Sequence, residues 1–315
     1  MSMIKNIYGK HSFYFSALTI IFSVIVLIFG KNLEFFNQSV VSFICLFLIL
    51  SIGVSHGALD NYKANKILKI YKMDSKLVFY FSYIFISILI ILSWIFFSLV
   101  TLIVFLLIAS HHFGKEDTAF LIKKHSNFDQ LIYVVKGSLI IFSPLFFHTD
   151  ETLKIFETLL INNNFLIFIK NEHWLINVCI ILNFLGYLYF VFRNNFDNFQ
   201  ILFLDLLLIL IINFIFSPLL AFTIYFCFLH SIRHIISIVL GLDEANFSNG
   251  IKLFIKKALP LTIITAILYL LAVFFIANFY GFNTAIMQVI FIGLASLTFP
   301  HILLEYLIEK NETKN

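Results

Sequence analysis

Long, nearly uncharged apolar runs recur along this chain at about 13–30, 38–56, 77–93, 95–112, 130–147, 173–192, 200–216, 218–240, 258–277 and 285–308. Each comes near the ~20 residues that an α-helix needs to cross a hydrocarbon core about 30 Å thick. The runs are continuous rather than alternating, which excludes an outer-membrane barrel. The predicted fold is therefore all-α: a polytopic transmembrane helical bundle of about 10 spans (8–10). It fills residues 13–308 of a single integral membrane domain covering 1–315. Hydrophobic residues make up 61% of the chain and charged ones 12%, against about 45–50% and about 25% in soluble domains.

The first run has no small-residue cleavage site after it, so it reads as a retained span. The stretch 77–112 is too long for one span and lacks a polar break, so a tight turn is expected near Ser93 and Trp94. Ser217-Pro218 marks another turn, since proline suits the first turn of a helix.

Loop charge orients the spans. With the N terminus inside, Lys5, Lys10, Lys63, Lys66, Lys69, Lys72, Lys76, Lys115, Lys123, Lys124, Arg193, Lys252, Lys256, Lys257, Lys310 and Lys314 fall on the cytoplasmic side. The opposite side keeps Lys31, Lys154 and Lys170 with Asp150, Glu151, Glu157 and Glu172. This bias fits ten spans with both termini cytoplasmic in a multi-pass protein of the cell (inner) membrane. The net charge of +4 thus reports topology and gives no sign of nucleic-acid binding. Cys45, Cys179 and Cys227 all lie in apolar runs without CxxC spacing and read as small packing residues.

The ten histidines separate by position. His11, His125, His148 and His173 fall in tails, loops or span ends and read as ordinary surface residues. His56 ends the second run, His111 and His112 end the fourth, His230 and His234 lie in the eighth, and His301 in the tenth. All six are on the predicted cytoplasmic side. A single helix-end histidine is ordinarily just a hydrogen-bonded residue. Here four helices bring imidazoles to one level, and His230 and His234, four apart, share a helix face. With Arg233 between them they are costly in hydrocarbon, about 2.5–3.5 kcal/mol for the arginine alone, so they should face a protein interior. Nitrogen ligands without thiolate suit iron, copper or zinc, and a dry site with open positions points to oxygen chemistry on iron. Metal-bound histidines usually donate their other N–H to a carboxylate or carbonyl. Asp60 follows His56 by four and Glu305 follows His301 by four, while Glu116 and Asp117 follow His112 across Gly114, where the helix could break. Arg233 could neutralise Asp60, Asp117 or Glu305, or snorkel to the headgroups.

Four segments carry a family resemblance: Gly53-Val54-Ser55-His56-Gly57-Ala58-Leu59-Asp60, Ser110-His111-His112-Phe113-Gly114-Lys115-Glu116-Asp117, His230-Ser231-Ile232-Arg233-His234 and Leu297-Thr298-Phe299-Pro300-His301. Their order and spacing resemble the Brp/Blh family of membrane-bound β-carotene 15,15′-dioxygenases over about residues 38–308. The chain departs from the family at Asn61, where a further histidine is common, and at Lys115, where an acid is more usual. The resemblance implies a non-haem Fe(2+) that uses O2 to split the central double bond of β-carotene into two retinal molecules. Carried over by motif, the catalytic metal ligands would be His56, His112, His230 and His234. His112 is preferred to His111 because it directly precedes Phe113-Gly114. His301, Asp60, Arg233, Asp117 and Glu305 would be second-shell or substrate-side. The substrate would reach the site from the lipid bilayer through a tunnel lined by some of the many aromatics, and retinal could pass to a retinal-binding rhodopsin.

Two other readings compete at this point. A membrane hydroxylase or desaturase also gathers histidine boxes at the cytoplasmic face, but its di-iron site needs about eight histidines including HxxHH-type clusters, and this chain supplies six with no HxxHH. A transporter could line a pathway with intramembrane His and Arg, although no internal repeat is visible.

Overall fold

The computed structural model describes residues 2–29, 38–72, 75–122, 126–193 and 199–312, without the side chains of 2–5 and 312. Lys31, Lys123, Lys124, His125 and Lys314 lie outside this description, and Lys5 is described only by its backbone, which is helical. Among the described residues there are twelve helices and no strand. They are α1 (Asn6–Phe29), α2 (Gln38–Ile70), α3 (Lys76–Phe96), α4 (Ser98–Leu121), α5 (Asn127–Phe147), α6 (Thr149–Thr158), α7 (Asn163–Asn171), α8 (His173–Arg193), α9 (Phe199–Ile215), α10 (Pro218–Leu242), α11 (Phe247–Tyr280) and α12 (Phe282–Asn311). Nine of the described helices are long and apolar enough to cross a membrane, and α9 is a shorter apolar helix of 17 residues. The protein is an all-α polytopic helical bundle.

Local chemistry sets the ends. Ser75 caps α3 by accepting the Leu77 N–H. Ser126 and Asp129 form a reciprocal capping box at the start of α5, satisfying donors that the first turn leaves open. Pro218 occupies the first turn of α10, as expected. The break inside 77–112 falls at Phe97 rather than at Ser93 and Trp94. Trp94 is fully buried with its ring edge-on to Phe105 at 6.0 Å, so packing keeps that last turn helical. Between α10 and α11, Asp243 accepts from the Asn249 amide and the backbone N–H groups of Ala245 and Asn246, which holds its carboxyl below the usual value.

Two helices depart from α geometry at informative places. α2 passes through a π turn at Ile49–Gly53 and a 3-10 segment at Val54–Leu59 before resuming as α-helix. α10 is π-helical over Tyr225–Ser231. Such insertions often mark functional sites.

The chain divides into two compact units, residues 1–48 with 106–234 and residues 49–105 with 235–315. In the first, α1 packs along α9, presenting Ser12, Ser16, Thr19 and Ser23 as buried small polar positions. Tyr133 of α5 stacks on Phe190 of α8 at 5.7 Å, both fully buried. In the second, α11 packs on α12 and on the 3-10 segment of α2, where Ala58, Leu59, Val239, Phe254 and Ala258 form a core. Cys45 and Cys227 are buried and Cys179 half-buried, all as free thiols, in keeping with packing roles.

Candidate functional site

The first unit gathers three of the predicted ligands. The ring of His112, on α4, lies 5.2 Å from that of His230 and 6.4 Å from that of His234, centroid to centroid. His230 sits in the π segment and His234 on the α-helix that resumes at Ile232. All three are buried. Phe113 meets the His230 ring edge-on at 4.7 Å, and Phe226 stacks on it at 5.9 Å. The imidazoles therefore have an apolar aromatic wall.

Glycines fix the position of His112. The helix runs unbroken through Gly114, and glycine is needed there because a Cβ would stand 1.9 Å from the Tyr133 carbonyl oxygen of α5. Gly137 of α5 approaches Ser110 in the same way, at 1.8 Å for its would-be Cβ. Two bare backbones thus let α4 and α5 touch on either side of His112. His111 points away: its Nε2 hydrogen-bonds Gln130 Oε1 at 2.8 Å.

Carboxylates stand behind this cluster. Glu116 Oε2 lies 3.0 Å from His234 Nδ1. Asp117 is 1% exposed and accepts from Lys136 Nζ at 3.0 Å and Tyr225 Oη–H at 2.8 Å. Its other oxygen faces His230 Nδ1 at 3.9 Å and the Arg233 guanidinium at 3.8 Å. Arg233 makes its bidentate pair with Asp205 of α9, 2.7 Å at each nitrogen, and also donates to Ser12. Tyr8 donates to the Arg233 carbonyl at 2.7 Å. Arg233 is 2% exposed, so it does not snorkel. Two cations and two carboxylates make a neutral quartet, which is how charge is tolerated away from water.

The second unit holds His56 and His301, whose rings meet edge-on at 5.5 Å. The sequence pairs Asp60 with His56 and Glu305 with His301. The structure puts both Asp60 oxygens 2.9 Å from His301 Nδ1, while Glu305 faces His301 Nε2 at 3.6 Å, as expected, and also binds Lys63 at 2.7 Å. Tyr83 of α3 donates to Asp60 at 3.2 Å and to the Leu297 carbonyl at 3.1 Å. Asn61 donates to Tyr80 Oη at 3.2 Å.

Lys136, Asp205, Tyr225 and Tyr83 escaped the sequence reading. Lys136 and Asp205 had a visible signal, a charge inside an otherwise apolar run. Nothing local marked the two tyrosines among their neighbours. The histidines taken as surface residues also need correction. His11 lies within α1 with a buried Nδ1, His148 has a buried Nε2, and the His173 Nε2 is 3.2 Å from the Thr149 hydroxyl.

Neither His56 nor His112 ends its helix: α2 continues to Ile70 and α4 to Leu121. The apolar run stops at those residues, but the polar segments beyond them remain helical.

Fold and site describe a multi-pass membrane protein whose interior is furnished with histidines and paired charges. The family model of beta-carotene 15,15'-dioxygenase matches residues 47–309, and the chain belongs to that family. It is a carotenoid dioxygenase. The beta-carotene 15,15'-dioxygenase of an uncultured marine bacterium, 66A03, is 27% identical over 267 residues, covering 82% of this chain and 90% of that one. No solved structure matches the chain. The family match begins inside α2, so α1, with Tyr8 and Ser12, lies outside it.

Proposed function

We propose that the protein cleaves the central 15,15′ double bond of β-carotene with O2 at a non-haem Fe(2+), giving two molecules of retinal. The proposed iron ligands are the four motif histidines His56, His112, His230 and His234. The observation that carries this reading is the close grouping of the His112, His230 and His234 rings inside one buried, aromatic-walled unit.

The residues fit such an ion. Three imidazoles with no thiolate are a donor set suited to iron. Glu116 accepts from His234 Nδ1–H, which assigns Nε2 as the ligating nitrogen and fixes the ring. Asp117 faces His230 Nδ1 at 3.9 Å, a charge contact longer than a hydrogen bond. Bound there, the iron would supply O2 activation. The protein's part is to hold those rings, to exclude water with Phe113 and Phe226, and to keep a polyene beside the ligands. Lys136 and Arg233 set two cations beside Asp117, and Tyr225 orients it by donating to it. His301, held by Asp60 and Tyr83, is proposed to act on the substrate side.

The substrate is itself at home in hydrocarbon, so delivery from the lipid of the cell's inner membrane requires no passage through water. A retinal-binding rhodopsin is a proposed recipient of the product.

Expression in β-carotene-producing bacteria tests the reading. Loss of orange colour with formation of retinal, abolished in His230→Ala and His56→Ala, supports it. Cleavage to unequal fragments, or unimpaired cleavage in those variants, counts against it.

A further inference from the structure

α2 and α11 are too long for a membrane. At 33 and 34 residues they extend about 50 Å, against a hydrocarbon core of about 30 Å. Their apolar runs end at residue 56 and begin at residue 258, so the surplus lies in 57–70 of α2 and 247–257 of α11. These two surplus segments belong to the same unit and pack together. Ala58, Leu59, Phe254 and Ala258 share one core, and Lys257 Nζ sits 3.7 Å from the Tyr62 ring centroid.

That contact aligns a set of cations. Tyr62, Lys66 and Lys69 are spaced i, i+4 and i+7, on one face of α2. Lys252 and Lys256 share a face of α11 by the same spacing. All four lysines are exposed. The only acid in either segment is Asp60, which is buried against His301. Tyr62 adds an amphipathic aromatic of the kind that settles at headgroup level.

We propose that this surface binds the phosphate headgroups of anionic phospholipids, with Lys66, Lys69, Lys252 and Lys256 as its cations and the Tyr62–Lys257 pair as its fixed centre. A juxtamembrane lysine gains roughly fivefold in affinity for an anionic surface, an effect that fades over a Debye length. Headgroups gripped there hold α2 at a set depth, six residues or more beyond His56. This inference is independent of the catalytic reading, because none of its lysines is among the proposed ligands or their partners.

The test uses the full-length protein in detergent, titrated with phosphatidylglycerol, phosphatidylcholine or inorganic phosphate. Thermal unfolding and lipid retained in native mass spectrometry are the readouts. The expected result is stabilisation and retention by phosphatidylglycerol alone, weakened by salt, with at least tenfold lower affinity in K66Q/K69Q/K252Q/K256Q. The paired variants K66Q/K69Q and K252Q/K256Q each show part of the loss and serve if the quadruple variant does not fold. Equal response to phosphatidylcholine, an undiminished response in the variants, or equal stabilisation by free phosphate would overturn the proposal.

Discussion

His234 Nδ1 lies 3.0 Å from Glu116 Oε2, joining α10 to α4 one turn beyond His112 on the latter. One helix thus supplies both an imidazole of the cluster and the carboxylate that orients another. Partners of this kind are worth about 10–100-fold in metal affinity. Glu116→Ala is expected to lose iron in that range while folding normally, since Glu116 is 29% exposed at the side chain. Metal content after dialysis against a graded chelator checks it.

The adjacent histidines should behave oppositely. His112 is buried against His230 and His234, whereas His111 hydrogen-bonds Gln130. His112→Ala should abolish retinal formation, and His111→Ala should keep at least about a third of it, the lost bond being a surface one worth ~1 kcal/mol or less. Product measured by chromatography separates the two.

Arg233 should matter to folding more than to chemistry. Removing one partner of a buried ion pair costs about 3–5 kcal/mol, because the other charge is left without compensation. Arg233→Met leaves Asp205 stranded and should sharply lower the yield of folded protein. Arg233→Met with Asp205→Leu should recover much of it. Yield and thermal unfolding of the two variants check the claim.

Glycine offers a clean contrast. Gly114→Ala drives a methyl into the Tyr133 carbonyl, at 1.9 Å in the unrelaxed geometry. It should separate α4 from α5 and destabilise the protein by several kcal/mol, at or above the overpacking range of about 1–3. Gly241→Ala, with nothing within 4 Å of the new methyl, should be neutral or stabilising by up to ~1 kcal/mol. Thermal unfolding of the two variants in the same detergent is the measurement.

The spans were legible in the sequence because helix length and lack of charge are local properties, read without knowing any partner. Helix ends were less so: Phe97, not Ser93 or Trp94, breaks the 77–112 stretch, since packing of Trp94 on Phe105 overrides the local signal. Histidines could be sorted by run, and His112 told from His111 only by its place in a motif. Pairings were out of reach. Asp60 meets His301, 241 residues away in sequence, rather than His56 one turn behind it. Arg233 chooses Asp205 as its closest partner, a choice that depends on how α9 and α10 sit within their unit. The π segment at Tyr225–Ser231 left no mark in composition either.

X-ray absorption at the iron edge of the reconstituted, anaerobic protein tests the central claim most directly. The account predicts a first shell of nitrogen and oxygen with the multiple-scattering signature of about four imidazoles, falling by one in His112→Ala and in His56→Ala. A shell containing sulfur, or one with fewer than three imidazoles in the unaltered protein, would contradict it.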